Sequence, residues 1–186
     1  NGDEVTIYPF DESKVEDPSL IIYSPVKQVG SDIIVTNGDQ TDTIEEYLQK
    51  GKCFRCALNT RTFEPDAPNY TPRISGILHL KKGGFTYEMS ILKSADGKGV
   101  KCNRFTFDYE PVNGVGHFIH TYEKDGNPLP TFEGEPERVA IPNDVNAFAE
   151  EIWQNLDENN KISLYVRAVN LRTWQTESVL INKFQK

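Results

Sequence analysis

The sequence ISGILHLKKGGFTYEMSILK, at residues 74–93, predicts a β-hairpin, and the rest of the fold can be worked out from it. Its two arms are Ile74–Lys81 and Phe85–Lys93, and the central part of each carries apolar or aromatic residues at alternate positions. This alternation gives each strand one face for a hydrophobic core. Between the arms, Lys82, Gly83 and Gly84 have the composition of a tight hairpin turn.

Further strands and three helices are predicted on both sides of this hairpin. The other strands are Val5–Tyr8, Leu20–Tyr23, Ile33–Thr36, Val100–Glu110, Gly116–Glu123, Val139–Ile141, Lys161–Val169 and Glu177–Lys183. One helix should begin near Asp42, which has capping-box spacing with Glu45, and stop at Gly51. A second is predicted over 51–62, and a third over 143–156, where apolar residues fall on one stripe. This order of elements predicts an α+β sandwich with mostly antiparallel sheets.

Composition limits the class of protein. The chain has 186 residues with 28 acidic and 20 basic side chains, a net charge of −8. We therefore expect one domain over 1–186, and neither nucleic acid nor an anionic membrane as its main partner. No apolar run approaches the roughly 20 residues of a membrane span, and no signal-peptide core is present.

The three cysteines show no disulfide framework. Cys53 and Cys56 are predicted to be two small apolar residues on one face of a helix, because no second Cys or His pair follows at zinc spacing. This use of cysteine fits a reducing cytoplasm, so we predict a cytoplasmic protein.

The segment FEPDAPNYTPR, at residues 63–73, precedes the hairpin and is predicted to be a rigid polar loop. Three prolines within eight residues exclude a helix and disfavour a central strand. The loop carries two carboxylates, an amide, a phenol, a hydroxyl and a guanidinium, which is the mixture that a small-molecule site needs to have held in place. The alternative is a proline-stiffened connection whose polar groups face water.

Other motifs exclude several kinds of chemistry. His117 and His120 are three residues apart on a predicted strand, so they should point to opposite faces and not share a metal. Neither a serine nucleophile elbow nor a phosphate-cradling loop is present, and residue 1 is not an N-terminal nucleophile. The chemistry left is positioning, acid–base transfer and electrostatic stabilisation.

Five segments in order carry a resemblance to one family: TNGDQTDTI (36–44), EPD with NYTPRI (64–66 and 69–74), SILKS (90–94), HFIHTY (117–122), and GNPLP with FEGEP (126–130 and 132–136). Together they resemble the archaeal-type IMP cyclohydrolase family, in its bacterial branch. The resemblance implies a four-layer αββα sandwich like that of the N-terminal nucleophile hydrolases, without their nucleophile. It also implies closure of 5-formamidoimidazole-4-carboxamide ribonucleotide to IMP with loss of water, in purine biosynthesis.

The resemblance further implies a purine ribonucleotide as ligand and neither a metal nor an organic cofactor. It assigns Glu64 as the active-site carboxylate and Tyr23 as the active-site tyrosine. The carboxylate would orient the carboxamide nitrogen or take its proton, while a donor is needed at the formyl oxygen. The expected substrate-binding residues are Asn37, Asp66, Asn69, Arg73 and Lys93, the last as a phosphate or carbonyl contact.

One departure from the family pattern bears on activity. Family members usually begin with a further strand pair that contains a Gly-Arg motif and a Ser-Arg-Asn-Arg segment, and the sequence from Asn1 onward contains neither. We expect these arginines upstream if the protein is a competent cyclohydrolase. The alternatives are a non-catalytic purine-nucleotide-binding relative and an amide hydrolase of the related fold, and a homo-oligomeric state stays open.

Overall fold

The computed structural model describes residues 5–7 and 22–184 of the chain. Within these ranges the strands are β1 (Val26–Val29), β2 (Asp32–Thr36), β3 (Arg73–Lys81), β4 (Gly84–Ser94), β5 (Cys102–Tyr109), β6 (Val115–Phe118), β7 (Glu137–Ala140), β8 (Ser163–Val169) and β9 (Thr176–Asn182). The helices are α1 (Gln40–Gln49), α2 (Phe54–Leu58) and α3 (Val145–Asn155). Helices combined with antiparallel strands confirm the predicted α+β class.

Five strands form one antiparallel sheet in the order β1-β2-β3-β4-β5, so each strand pairs with its neighbour in the sequence. The predicted hairpin is β3 and β4, whose register ends with Lys81 opposite Gly84. Lys82 and Gly83 form the turn, and Gly83 has a φ of +80°, which a residue without a Cβ adopts at no steric cost. β6 with β7 and β8 with β9 form two further antiparallel pairs.

One face of the five-stranded sheet packs against α1 and α2. The buried side chains of this contact are Ile34, Ile44, Phe54, Ala57, Leu58, Ile77 and Leu92. Alternate residues on a strand share a face, so the same face carries Thr36 at the end of β2 and Arg73 and Ser75 at the start of β3. These three polar residues are buried. The hydrophobic core therefore passes into a buried polar region at this end of the sheet.

The opposite face packs against the last strands. Val26, Ile33 and Leu80 are buried there, and Tyr165 and Val169 of β8 pack against them. α3 in turn contacts β8 and β9. The helix begins as its sequence predicts, with the Asp144 carboxylate accepting a hydrogen bond from the backbone N–H of Ala147 at 2.8 Å.

The two N-terminal strand predictions are not confirmed. Val5 forms only an isolated bridge with Val26, and Tyr8 lies outside the described residues. Of residues 20–23, positions 22 and 23 form a bend, and the other two lie outside the described residues. The prediction for 116–123 is right only in its first part, since β6 ends at Phe118, which pairs with Glu137, the first residue of its four-residue partner β7.

The predicted start of the first helix is wrong. The N-cap of α1 is Asp39, which makes no side-chain capping hydrogen bond, so Asp42 lies in the first turn and is not a cap. Asp42 and Glu45 instead form ion pairs with Lys27 of β1, at 2.8 and 2.5 Å. The capping-box spacing therefore reflects two acidic residues on one helix face that both reach the neighbouring strand.

The cysteine prediction is also wrong. Cys53 is the N-cap of α2, with extended backbone angles, and its sulfur accepts a hydrogen bond from the backbone N–H of Cys56. A disulfide joins the two residues, while Cys102 is a free thiol. The prediction placed both residues inside one helix over 51–62, whereas α2 covers only 54–58, so Cys53 lies outside it.

No helix in the described part of the chain is both long enough and apolar enough to cross a membrane.

Candidate functional site

The proline-rich segment is a loop, as predicted, and its own side chains hold it together. The backbone N–H of Glu64 donates to the carbonyl of Thr71 at 2.9 Å, which closes the loop. The Asp66 carboxylate accepts hydrogen bonds from both the backbone N–H and the hydroxyl of Thr71. The Asp66 carbonyl accepts from the N–H groups of Asn69 and Tyr70. Asp66, predicted to bind substrate, thus uses both carboxylate oxygens to shape the loop.

Arg73 lies at the centre of a buried charge cluster. It is 4% exposed, and its Nη1 atom lies 2.6 Å from an Asp39 oxygen and 3.6 Å from Glu64 Oε1. The same nitrogen donates to Gln40 Oε1 at 2.7 Å. Asp39 also pairs with Arg61, at 2.6 Å, so cations and carboxylates alternate along the row Arg61, Asp39, Arg73 and Glu64.

Gly38 makes this cluster compatible with the turn between β2 and α1. A Cβ on residue 38 would lie 2.5 Å from Arg73 Nη1 and 2.6 Å from Gln40 Oε1. It would also come within 3.1 Å of Glu64 Oε1. Only glycine lets the backbone of this turn pass so close to the guanidinium.

Glu64 and Tyr23 are the two residues that the family resemblance assigns to catalysis. The Glu64 side chain is 12% exposed, and burial raises its pKa to about 7 against the opposing effect of Arg73. The negative charges of Asp66 and Asp39 raise this pKa further. Burial raises the pKa of Tyr23 to about 12, the Glu64 charge adds to the rise, and Arg73 opposes it. The charges of Glu64 and Arg73 both act on Tyr23, which places the three groups in one electrostatic environment.

The two asparagines predicted to bind substrate make contacts within the protein. Asn37 donates to the Pro72 carbonyl at 2.9 Å, and its side-chain oxygen accepts from the backbone N–H of Ile74 at 2.9 Å. It thereby fixes the β2–α1 turn to the start of β3. The Asn69 side-chain oxygen accepts from the backbone N–H of Leu129 at 3.1 Å, which ties the proline loop to the loop over 126–136.

Lys93 is placed on the opposite face of the sheet from Arg73. Its Nζ donates to the Phe132 carbonyl at 2.7 Å and lies 5.9 Å from the centre of the Phe105 ring. In the residues that the structure describes it forms no ion pair. This contact joins Lys93 to the loop over 126–136, and Lys93 takes no part in the cluster around Arg73.

A family profile described as IMP cyclohydrolase-like protein matches residues 1–173, which is most of the chain. The chain belongs to this family. The predicted family membership is therefore confirmed, and it supports a related function for this protein. A search of curated proteins finds no significant match.

Tyr122 lies beside the proline loop, although the sequence analysis did not single it out. Its hydroxyl lies 2.5 Å from the Thr71 hydroxyl, so the segment around residue 122 contacts the proline loop. Burial raises the pKa of Tyr122, the hydrogen bond with Thr71 opposes the rise, and the charges of Asp66 and Glu64 add to it. The sequence did contain one indication of Tyr122, because this residue ends the HFIHTY segment that contributes to the family resemblance.

The two histidines of that segment have different surroundings. His117 accepts from or donates to the Tyr87 hydroxyl at 2.6 Å, and its ring stacks on Tyr109 with 3.7 Å between centroids. His120 hydrogen-bonds the Tyr122 carbonyl and packs edge-on against Phe132. Among the described residues, no group of three or more His, Cys, Asp and Glu side chains could hold a metal ion.

This arrangement suits proton transfer near neutral pH. A carboxyl with a pKa of about 7 can accept a proton and return it within one reaction cycle. Tyr23 and Tyr122 both have raised pKa values, so their hydroxyls stay protonated and remain hydrogen-bond donors. Arg73 supplies a fixed positive charge beside the carboxylate.

The raised pKa of Glu64 also predicts a pH-dependent stability. The folded protein holds this proton more tightly than the unfolded chain, whose carboxyl has a pKa near 4.5. The resulting stabilisation is fully present below pH 4.5 and is lost as the pH rises through 7. Glu64→Gln removes the charge, so its free energy of unfolding should exceed that of the wild type by an amount that grows by about 2–3 kcal/mol between pH 5 and 8.

Urea denaturation of both proteins at pH 5 and pH 8 measures this difference. Glu150→Gln, at an exposed position on α3, is the matched control and should show no such trend. An advantage of Glu64→Gln that is the same at both pH values would show that Glu64 is already ionised at pH 5.

Proposed function

We propose that this protein closes 5-formamidoimidazole-4-carboxamide ribonucleotide to IMP with loss of water. The single observation that carries the proposal is the Glu64 carboxyl, with a pKa of about 7, held 3.6 Å from the buried Arg73 guanidinium in a chain that belongs to the IMP cyclohydrolase-like family. A carboxylate of this basicity suits a reaction whose nucleophile is a weakly reactive carboxamide nitrogen. The two phenols nearby suit the oxygen on which negative charge develops.

In the proposed first step, Glu64 takes one proton from the carboxamide nitrogen as this nitrogen attacks the formyl carbon. A tyrosine hydroxyl, from Tyr23 or Tyr122, donates to the formyl oxygen and is reprotonated from Glu64, which leaves a carbinolamine. In the second step the formamido nitrogen loses its proton, a carbon–nitrogen double bond forms, and the carbon–oxygen bond breaks. The oxygen leaves as water with one proton from each nitrogen, so the atoms balance.

The layering of the fold, the branch of the family, the pathway and the cellular location belong to the same proposal. We propose one domain over 1–186 with an αββα layering related to the N-terminal nucleophile hydrolases, and a place in the bacterial branch of the family. Support for the layering comes from α1 and α2 on one face of the main sheet, β8 on the other, and α3 against β8 and β9. Purine biosynthesis, a cytoplasmic location and a purine ribonucleotide ligand follow from the proposed reaction. The separate argument from cysteine use for a reducing compartment does not hold, because Cys53 and Cys56 form a disulfide.

A ring-closure assay tests the proposal. Full-length protein is mixed with the formamido ribonucleotide, and IMP is followed by absorbance and identified by mass spectrometry. We expect IMP formation at a rate that a metal chelator leaves unchanged. Tight binding of IMP without turnover would favour a non-catalytic nucleotide-binding relative, and release of formate in place of water would favour an amide hydrolase.

A further inference from the structure

A cavity with a volume of about 890 Å³ borders the proline loop beside the Arg73 cluster. Its lining includes Arg61, Phe63, Tyr70, Arg73, Gly99 and Arg104. The volume falls within the range typical of small-molecule sites. Because Arg73 both lines this cavity and lies 3.6 Å from Glu64 Oε1, the cavity adjoins the carboxyl assigned to catalysis.

The cavity is cationic in a protein of net charge −8. Three arginines line it, and no Asp or Glu is among its described lining residues. Arg104 donates to the backbone carbonyl of Arg61 at 2.8 Å, which holds the Arg104 side chain against the backbone at residue 61. In the described part of the chain, Arg104 forms no ion pair, since its other hydrogen bond goes to the Cys102 carbonyl. Arg104 therefore has charge and hydrogen-bonding capacity left for an anion.

Arg73 is the less suitable anion ligand of the three. Its guanidinium already contacts Asp39, Gln40 and Glu64, and the residue is 4% exposed. Arg61 also pairs with Asp39, but its side chain is 25% exposed. The accessible positive charge of the cavity consequently lies on Arg61 and Arg104.

Tyr70 forms a fixed aromatic wall of the cavity. Its backbone is in the left-handed region, with a φ of +48°, and its ring contacts the edge of Phe63. The ring also packs so closely on Gly99 that a Cβ there would lie 2.4 Å from a ring carbon. A residue other than glycine at position 99 would push the ring away.

We infer that this cavity binds the 5′-phosphate of the ribonucleotide, with Arg61 and Arg104 as its ligands and the Tyr70 ring beside the ribose. The inference rests on the proposed function for the identity of the nucleotide. It assigns the phosphate to two residues outside the substrate-binding set expected from the sequence. In this arrangement Arg73 lies between the phosphate and the reacting groups. Its positive charge acts on the Glu64 carboxylate and not on the phosphate.

Calorimetry with IMP and with inosine, which lacks the phosphate, tests the inference. Arg104→Ala should weaken IMP binding by about 10–100-fold, the loss expected for a charge-assisted contact, and leave inosine binding unchanged. Arg104 makes only backbone contacts and is exposed, so the variant should fold. The control is Arg172→Ala, which removes the same charge from an exposed turn between β8 and β9 and should bind IMP as the wild type does.

The ring-closure assay separates the two proposals. Turnover by the wild type with an unchanged KM and unchanged IMP affinity in Arg104→Ala would overturn the phosphate site and leave the proposed function standing. Absence of turnover, together with Arg104-dependent binding of IMP or inorganic phosphate, would support the anion site and overturn the function. A loss that is equal for IMP and inosine would also overturn the inference, because it would place Arg104 away from the phosphate.

Discussion

Glu64→Gln should lower kcat for ring closure by about 10²–10⁴-fold, the usual effect of losing a general base. The amide keeps the shape of the side chain but cannot accept the carboxamide proton. Because the substitution removes a carboxylate that burial disfavours, the variant should be at least as stable as the wild type at pH 8. Reduced activity would therefore not result from unfolding. The measurement is steady-state kinetics at pH 8, with the melting temperature recorded for the same samples.

The pH profile gives this prediction a second readout. In the wild type, kcat/KM should rise with pH and level off above an inflection near 7, since the base must be ionised. The inflection should be absent in Glu64→Gln, whereas Glu150→Gln should keep both the wild-type rate and the inflection. A Glu64→Gln variant with wild-type kcat would remove this carboxylate from the mechanism.

Arg73→Ala should lower the free energy of unfolding by about 3–5 kcal/mol, because it leaves the buried Glu64 carboxylate without its ion-pair partner and Asp39 with Arg61 alone. Arg73 is 4% exposed and contacts Asp39, Gln40 and Glu64, so its loss affects three partners at once. Removing the guanidinium should also raise the pKa of Glu64 above 7, since the Arg73 charge lowers this pKa more than that of Arg61, the other cation that lowers it.

Urea denaturation measures this effect against a matched arginine. Arg55 and Asp108 form an ion pair at 3.0 Å with side chains that are 52% and 65% exposed. Arg55→Ala should therefore cost less than about 1 kcal/mol. If the two alanine variants lose the same stability, the cluster around Arg73 is solvated and does not form the buried centre described above.

The parts of the fold that the sequence predicted are those set by local patterns. Alternating apolar residues and a Lys-Gly-Gly turn locate β3 and β4, and an apolar stripe after Asp144 locates α3. β1 was missed because its four residues, VKQV, contain only two apolar side chains. Its place in the sheet comes from pairing with β2 and from the ion pairs of Lys27 with α1. Such tertiary contacts leave no periodic signal in the sequence.

The chemistry of the candidate site was predictable, but its long-range contacts were not. The proline loop and its carboxylates were identified from composition, and the partners of Asp66 and Glu64 are the nearby Thr71 and Arg73. The contacts that join this loop to other parts of the chain come from distant positions. Asn37 bonds to Pro72 across 35 positions, and Thr71 meets Tyr122 across 51. Substrate binding by Asn37, Asp66 and Asn69 stays a prediction, although each of these side chains has a structural contact.

A crystal structure of the full-length protein with IMP bound tests the central claim most directly. We predict that the newly closed six-membered ring lies within hydrogen-bond distance of the Glu64 carboxyl, with the phosphate in the cavity of Arg61 and Arg104. A different cavity, of about 500 Å³, lies on the opposite face of the sheet beside Tyr87 and His117. IMP bound there, with no atom near Glu64, would contradict the proposed active site.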